Sequence, residues 1–307
     1  MNRSKSDETA LPDRPTRGDY CRALPQYLYP KRLLSALMFR ATRIRFAPWK
    51  NWQIRWFIRR YGVDMDIAAQ ADGYADFNSF FTRALVSGAR PLPAAEDHLV
   101  SPADGSIYDY GRIVEGSLIQ AKAHRYTVAQ LLGDPSCDAA PFLNGSYLTV
   151  YLSPKDYHRV HMPVSGRLVE MVYVPGSLFS VNPSTARAVP RLFARNERVV
   201  VRFQTALGAM AVVMIGAVFV GGIETVWHGA ITPARSRQIS RWRYGAEGER
   251  PWTITRGAEL GRFNMGSTVV MLLERGDLQW RSDLVSGGRV EMGEALADYQ
   301  TDGSTTS

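Results

Sequence analysis

Five histidines occur in the 307 residues, and two of them, His158 and His161, stand three apart in Asp156-Tyr157-His158-Arg159-Val160-His161. Imidazole titrates near neutral pH, so either ring can serve as a general acid or base. A His-x-x-His pair can also bind a metal or be purely structural. Metal binding needs a third ligand, and with no HExxH pattern in the chain no metal is expected. Ser267 is a second reactive position, within Gly261-Arg262-Phe263-Asn264-Met265-Gly266-Ser267-Thr268 and just ahead of the apolar run Val269–Leu273. Gly-Ser-Thr before a strand is ordinarily a tight turn. It also admits chemistry, because a serine hydroxyl can attack the carbonyl preceding it where the backbone bends sharply, as Gly266 permits. Such an attack needs a base and donors for the oxyanion. A histidine oriented by an aspartate supplies the base, which makes His161 or His158 and Asp104 the candidates. Asp104 lies in Ser101-Pro102-Ala103-Asp104-Gly105, and an Asp-Gly pair alone usually marks a turn. Spacing leaves open whether the three groups meet.

The elements that must position these groups fall into two textures. Residues 1–19 are polar and Pro-containing and are expected to form a disordered tail. Residues 20–95 are expected to be helical. Leu33, Leu34, Leu37 and Met38 recur at helical spacing, as do Trp49, Trp52, Trp56 and Phe57 beyond Pro48. A further helix is expected after the capping residue Asp76, with Phe77, Phe80, Phe81 and Leu85 on one face. Residues 96–295 read as strands: Ser146–Leu152, Arg167–Val174, Arg198–Thr205, Met210–Val220 and Thr268–Leu273 are Val-, Ile-, Leu- and Tyr-rich runs between turn residues. One short helix is expected near Val128–Leu132. Residues 296–307 are expected to form a second disordered tail. The fold class is therefore α+β, basic N-terminal helices followed by a strand-rich catalytic core.

Composition bounds the function. With 45% hydrophobic and 21% charged residues the chain can bury a sizeable core, so a wholly disordered protein is excluded. Cys21 and Cys137 have no paired spacing, which argues against a zinc knuckle or a disulfide framework. No apolar run reaches the roughly 18–20 residues that span a bilayer, and the first residues carry no secretory signal. The formal net charge is +8, which favours anionic partners. Between Asp19 and Asp64 there is no acidic residue, while basic residues from Lys31 to Arg60 alternate with Tyr27, Tyr29, Phe39, Phe46, Trp49, Trp52, Trp56 and Phe57. That pattern suits an interfacial helix on anionic lipid. Stacking on nucleic-acid bases or plain packing against the core are the alternatives on composition alone.

The ordered motifs decide more. The segment Tyr151–Pro163 (YLSPKDYHRVHMP) resembles the signature of bacterial phosphatidylserine decarboxylases, and so do Pro102–Gly105, Leu178–Asn182, Leu192–Arg198 and Gly222–Trp227. Met265-Gly266-Ser267-Thr268 is similar to the family's processing tetrapeptide, in which Leu usually stands where this chain has Met265. The resemblance runs from about residue 20 to 292, in the family's order, and fits the short bacterial type of proenzyme. Ser177 stands where the family often has Asp, and the tail after residue 292 is dissimilar.

The resemblance implies autocatalytic cleavage between Gly266 and Ser267, giving a β chain 1–266 and an α chain 267–307. Asp104 would orient His161, and His161 would draw the proton from Ser267 as it attacks the Gly266 carbonyl. The resulting ester would break by β-elimination. The dehydroalanine left at 267 would hydrolyse, with loss of ammonia, to a covalent pyruvoyl group. That group would form a Schiff base with phosphatidylserine and support its decarboxylation to phosphatidylethanolamine, with no external cofactor. His158 is implied as the proton donor and Ser180 as a residue of the substrate pocket. The resemblance further implies a homodimer at the cytoplasmic face of the inner membrane, held on anionic lipid, with no nucleic-acid partner. The rivals are a Ser-His-Asp hydrolase with an intact chain, weakened by the lack of a G-x-S-x-G elbow, and a non-enzymatic basic binding module.

Overall fold

The computed structural model describes residues 14–121, 124–219, 222–233, 237–245, 252–264 and 267–299. Four helices open the fold: α1 (Arg17–Ala23), α2 (Lys31–Ala41), α3 (Ala47–Tyr61) and α4 (Phe77–Phe81). Pro48 falls in the first turn of α3, where its missing N–H costs no helical hydrogen bond, and Gly62 in the left-handed region ends the helix. Asp76 caps α4 through the Ser79 N–H. This last helix is shorter than the periodicity predicts. Leu85 is drawn instead into a bridge with Ala68, so the chain leaves the helix after Phe81.

The strand-rich part is built on a nine-stranded sheet. Its main strands are β1 (Gly105–Arg112), β2 (Ser146–Leu152), β4 (Gly166–Val174), β5 (Arg198–Thr205), β6 (Gly208–Ile215) and β9 (Ser267–Leu273), in the order β4-β5-β6-β9-β2-β1. A smaller sheet pairs β3 (Arg159–His161) with β8 (Glu259–Phe263) and β8 with β7 (Ile223–Thr225). The apolar run predicted as Met210–Val220 stops at Ile215, where Gly216 turns to bond the Glu197 carbonyl.

Alternation along β9 explains why its sequence is apolar throughout. Val269, Met271 and Leu273 pack into one core cluster, while Val270 and Leu272 pack into another. Side chains of a strand alternate between faces, so a strand covered on both faces reads as a continuous apolar run. A third cluster is aromatic: Phe57 of α3 meets Phe77, Phe80 and Phe81 of α4.

Order extends further at both ends than the sequence suggests. Thr16 caps α1, and Asp19, assigned to the tail, is buried against Arg187 at 2.8 and 3.0 Å. Arg187 holds the Asp19 carboxyl well below the usual carboxylate range. At the other end, Ala295–Asp298 pairs with His98–Val100 and buries Leu296 and Ala297 fully. A single charged or small-residue segment reads as solvent-exposed until a distant partner covers it. None of the described helices is long and apolar enough to cross a membrane.

Candidate active site

Ser267 opens β9 at the centre of the large sheet, directly opposite Leu152 of β2. It is fully buried, and its hydroxyl has no hydrogen-bond partner. An enclosed hydroxyl without a partner loses its hydration and gains nothing in return. Gly266, the other half of the expected cleavage site, and Met265 lie outside the described residues. Just ahead, Asn264 is fixed by the Gly222 carbonyl and by Glu224, at 2.9 and 2.8 Å.

His158 lies against the same approach. Its carbonyl accepts from the Phe263 N–H at 3.0 Å, four residues before Ser267. Its Nδ1 meets the Asp156 carbonyl at 2.8 Å, so Nδ1 carries the hydrogen and Nε2 the lone pair. Nε2 is buried without a partner, and the Phe81 ring sits 4.1 Å away, centroid to centroid. Burial pushes the imidazole down to about 3, so it is neutral at pH 7.

His161 is differently engaged. Its Nδ1 meets the Gly257 carbonyl at 2.8 Å and its Nε2 the Tyr157 hydroxyl at 3.0 Å. Burial again lowers its pKa. The loop carrying Asp104 is adjacent, because the His161 N–H donates to the Pro102 carbonyl at 2.8 Å. The Asp104 carboxylate, however, receives both arms of Arg90, at 3.0 and 2.6 Å, and the Met292 N–H at 2.8 Å. The structure therefore brings Asp104 within electrostatic reach of His161 without a hydrogen bond between them. Ser267 is bonded to neither histidine. Gly105 allows this approach: a Cβ there would lie 2.3 Å from the Tyr151 carbonyl oxygen. The Asp-Gly pair is thus the start of a strand packed closely on β2, not a surface turn.

Ser180 lines a cavity of about 170 Å³ with Phe57, Tyr61, Phe81, Tyr151 and Pro154. Phe81 is shared between this cavity and the packing against His158. The Ser180 hydroxyl accepts from the Asn182 amide at 2.9 Å. A larger cleft of about 1170 Å³, lined by Gln130, Asp134, Cys137, Arg191 and Arg198, contains none of the residues expected to react. Arg90, Tyr157 and Phe81 surround those residues, yet no pairing signal in the sequence marks them. Only Phe81 shows a pattern, as part of the helical aromatic stripe.

Residues 77–298 match the family described as phosphatidylserine decarboxylase, and residues 21–62 match a second family profile described as PSD. The phosphatidylserine decarboxylase proenzyme of Ectopseudomonas mendocina (strain ymp) is 50% identical over 279 residues, covering 90% of this chain and 97% of that protein. The proenzyme of Polaromonas sp. (strain JS666 / ATCC BAA-500) is 50% identical over 280 residues, covering 90% and 97%. That of Shewanella pealeana (strain ATCC 700345 / ANG-SQ1) is 49% identical over 278 residues, with the same coverage. The matches span both the helical segment and the strand-rich core that holds His158, His161 and Ser267, and on that extent this chain belongs to the phosphatidylserine decarboxylase family.

Proposed function

We propose that the chain cleaves itself between Gly266 and Ser267 and then decarboxylates phosphatidylserine to phosphatidylethanolamine through a pyruvoyl group at residue 267. The observation that carries this is the Ser267 hydroxyl, wholly buried and without a partner at the head of a central strand. Ser146, Thr149 and Thr268 also have buried hydroxyls without a partner; what sets Ser267 apart is its position after Gly266, in the tetrapeptide that resembles the family's processing site. The residues present also fit the group: once the hydroxyl is lost, none of the described residues around position 267 loses a hydrogen-bond partner.

When formed, the pyruvoyl group supplies an electron sink for the pair left by departing carbon dioxide. The chain's own residues do the rest. For cleavage, His161 takes the proton of the Ser267 hydroxyl as its oxygen bonds to the Gly266 carbonyl carbon, and returns it to the Ser267 nitrogen as the Gly266 C–N bond breaks, leaving an ester and a free amine. That requires the Nε2 of His161 to leave the Tyr157 hydroxyl, while Asp104, fixed by Arg90, keeps its negative charge nearby to favour the imidazolium. For decarboxylation, the Nε2 of His158, which carries a lone pair at rest, takes up the proton that the substrate ammonium sheds on reacting and passes it to the carbon that lost carbon dioxide. Its depressed basicity means it gives a proton up readily and returns to the neutral form. Phe81 and the enclosing cluster keep water away from it. Ser180 and the cavity it lines would receive the substrate. The exposed apolar and basic residues of α2 and α3 support attachment to anionic lipid, and the family resemblance supports a homodimer on the cytoplasmic face of the inner membrane.

Intact mass after expression tests the proposal. Two fragments, with the α chain starting in a pyruvoyl group, are expected, together with release of carbon dioxide from phosphatidylserine. A single full-length species with a free Ser267 hydroxyl would sink it.

A further inference from the structure

Arg83 stands two residues beyond α4, and its side chain is enclosed at 4% exposure. One of its nitrogens, Nη2, donates to the Lys155 carbonyl at 3.2 Å. Nε and Nη1 are buried and have no partner. Among the described residues no carboxylate forms an ion pair with it. Burial works against its charge, and Tyr74, Asp104, Asp156 and Asp64 offset this only at longer range. Its one close neighbour of note is the Phe80 ring, 5.6 Å from Cζ. A guanidinium held this way is desolvated without compensation, which a fold tolerates where a ligand completes the pairing.

The surroundings say which ligand. Arg83 follows the same short helix that sets Phe81 against His158, and its acceptor Lys155 is three residues ahead of His158. Pro154, next to Lys155, lines the small cavity with Phe81 and Ser180. Arg83 itself is not among the residues lining that cavity, but its charge is close enough to lower the pKa of His158, whose Nε2 is likewise unpartnered. Phosphatidylserine brings two anions there, a carboxylate and a phosphodiester. The carboxylate loses its charge as carbon dioxide departs. A buried cation upon it would hold the ground state more tightly than the transition state and slow the reaction. The phosphodiester keeps its charge throughout, and a planar fork of N–H groups matches two phosphate oxygens.

We propose that Arg83 binds the phosphodiester of the substrate headgroup, an assignment that rests on the phosphatidylserine reading above. Interactions that are equal in ground and transition states act on KM and leave kcat nearly untouched. The test uses the cleaved enzyme, dihexanoylphosphatidylserine as substrate, and glycerophosphoethanolamine as inhibitor, which has the phosphodiester and no carboxylate. In Arg83→Gln, KM for the substrate and Ki for the inhibitor should rise together by about 30-fold, the loss expected for a hydrogen-bonded charge pair, with kcat falling less than about threefold. Arg83→Lys, which keeps the charge without the fork, should lie between. In the wild type, glycerophosphoethanolamine should inhibit at least about tenfold more tightly than ethanolamine, a comparison that stands even where Arg83→Gln is not cut. Unchanged KM and Ki in a cleaved Arg83→Gln enzyme overturn the assignment. A raised KM with unchanged Ki also overturns it, in favour of the carboxylate. A wild type that stays uncut and releases no carbon dioxide overturns the underlying reading, and the assignment with it.

Discussion

The helical N-terminal region and the central sheet use the same kinds of apolar residue in opposite ways. On α2 and α3, Leu33, Leu37, Trp49, Trp52 and Trp56 point to solvent, and Phe57 is the one residue of α3 that is fully buried. On β9 every residue from Ser267 to Leu273 is buried. The difference lies in what is interleaved. Lys50, Arg55, Arg59 and Arg60 separate the rings of α3, whereas β9 contains no charged residue. A charged side chain at helical spacing prevents that face from closing over a core, so the rings beside it stay outside. Contiguous exposed apolar surface of this kind marks an interaction site. The sheet, by contrast, holds the Ser267 hydroxyl where water does not reach.

Five measurements break or sharpen this contrast, the first two on activity and the others on stability and binding. Ser267→Ala should leave one full-length chain and abolish decarboxylation, as read by intact mass and carbon dioxide release; a cleaved product would remove the sheet's buried serine from the chemistry. His158→Ala should still be cut, yet decarboxylate about 10²- to 10⁴-fold more slowly, the usual contribution of a positioned acid. Failure to cut would give His158 the role assigned to His161. Leu272→Ala, made in the uncleaved Ser267→Ala chain, should cost about 2–5 kcal/mol in urea unfolding, whereas Leu37→Ala on α2 should change stability by about 0.5 kcal/mol or less. Equal losses would mean that the helical face is covered after all.

The fourth measurement follows from His158, whose folded value of about 3 lies below the unfolded 6.5. Above pH 6.5 neither state binds the proton and the group has no effect on stability. As pH falls from 6.5 towards 3 only the unfolded state takes it up, so stability declines by about 1.4 kcal/mol per unit. Between pH 6.5 and 5 the Ser267→Ala chain should therefore lose about 2 kcal/mol from this group, and the added His158→Gln change should remove that loss. An identical pH dependence in both would show that His158 is not buried neutral. Smallest in its effect on the fold is the pair Trp52→Ser and Trp56→Ser. Their combined change in stability should stay within about 0.5 kcal/mol, while binding to anionic vesicles weakens and the remainder becomes more salt-sensitive. Unaltered vesicle binding would assign the exposed rings to another partner.

Much of the fold was legible because its signals are local. Ser146–Leu152, Arg198–Thr205 and the helix at Val128–Leu132 occupy the residues expected of them, each bounded by turn or capping residues. Pro48 and Gly62 bracket α3 by the same local logic. The misjudged positions all depend on distant partners. Leu85 leaves the helical pattern for Ala68, Asp19 is buried by Arg187, and Leu296 is buried once its strand pairs with His98–Val100.

The candidate site divides along the same line. Sequence by itself determined which groups are present: a serine after glycine, two histidines three apart, an aspartate before a glycine, all in motifs whose order resembles one family. Only the tertiary structure decided what each group meets. Asp104 is bonded to Arg90 and to the Met292 N–H, His161 to Tyr157 and Gly257, while His158 Nε2 and the Ser267 hydroxyl meet no partner. Side-chain type fixes the chemistry a group can perform, and this is written residue by residue. Burial and hydrogen-bond partners fix whether it performs that chemistry, and they depend on strand register and loop closure between residues up to 188 apart.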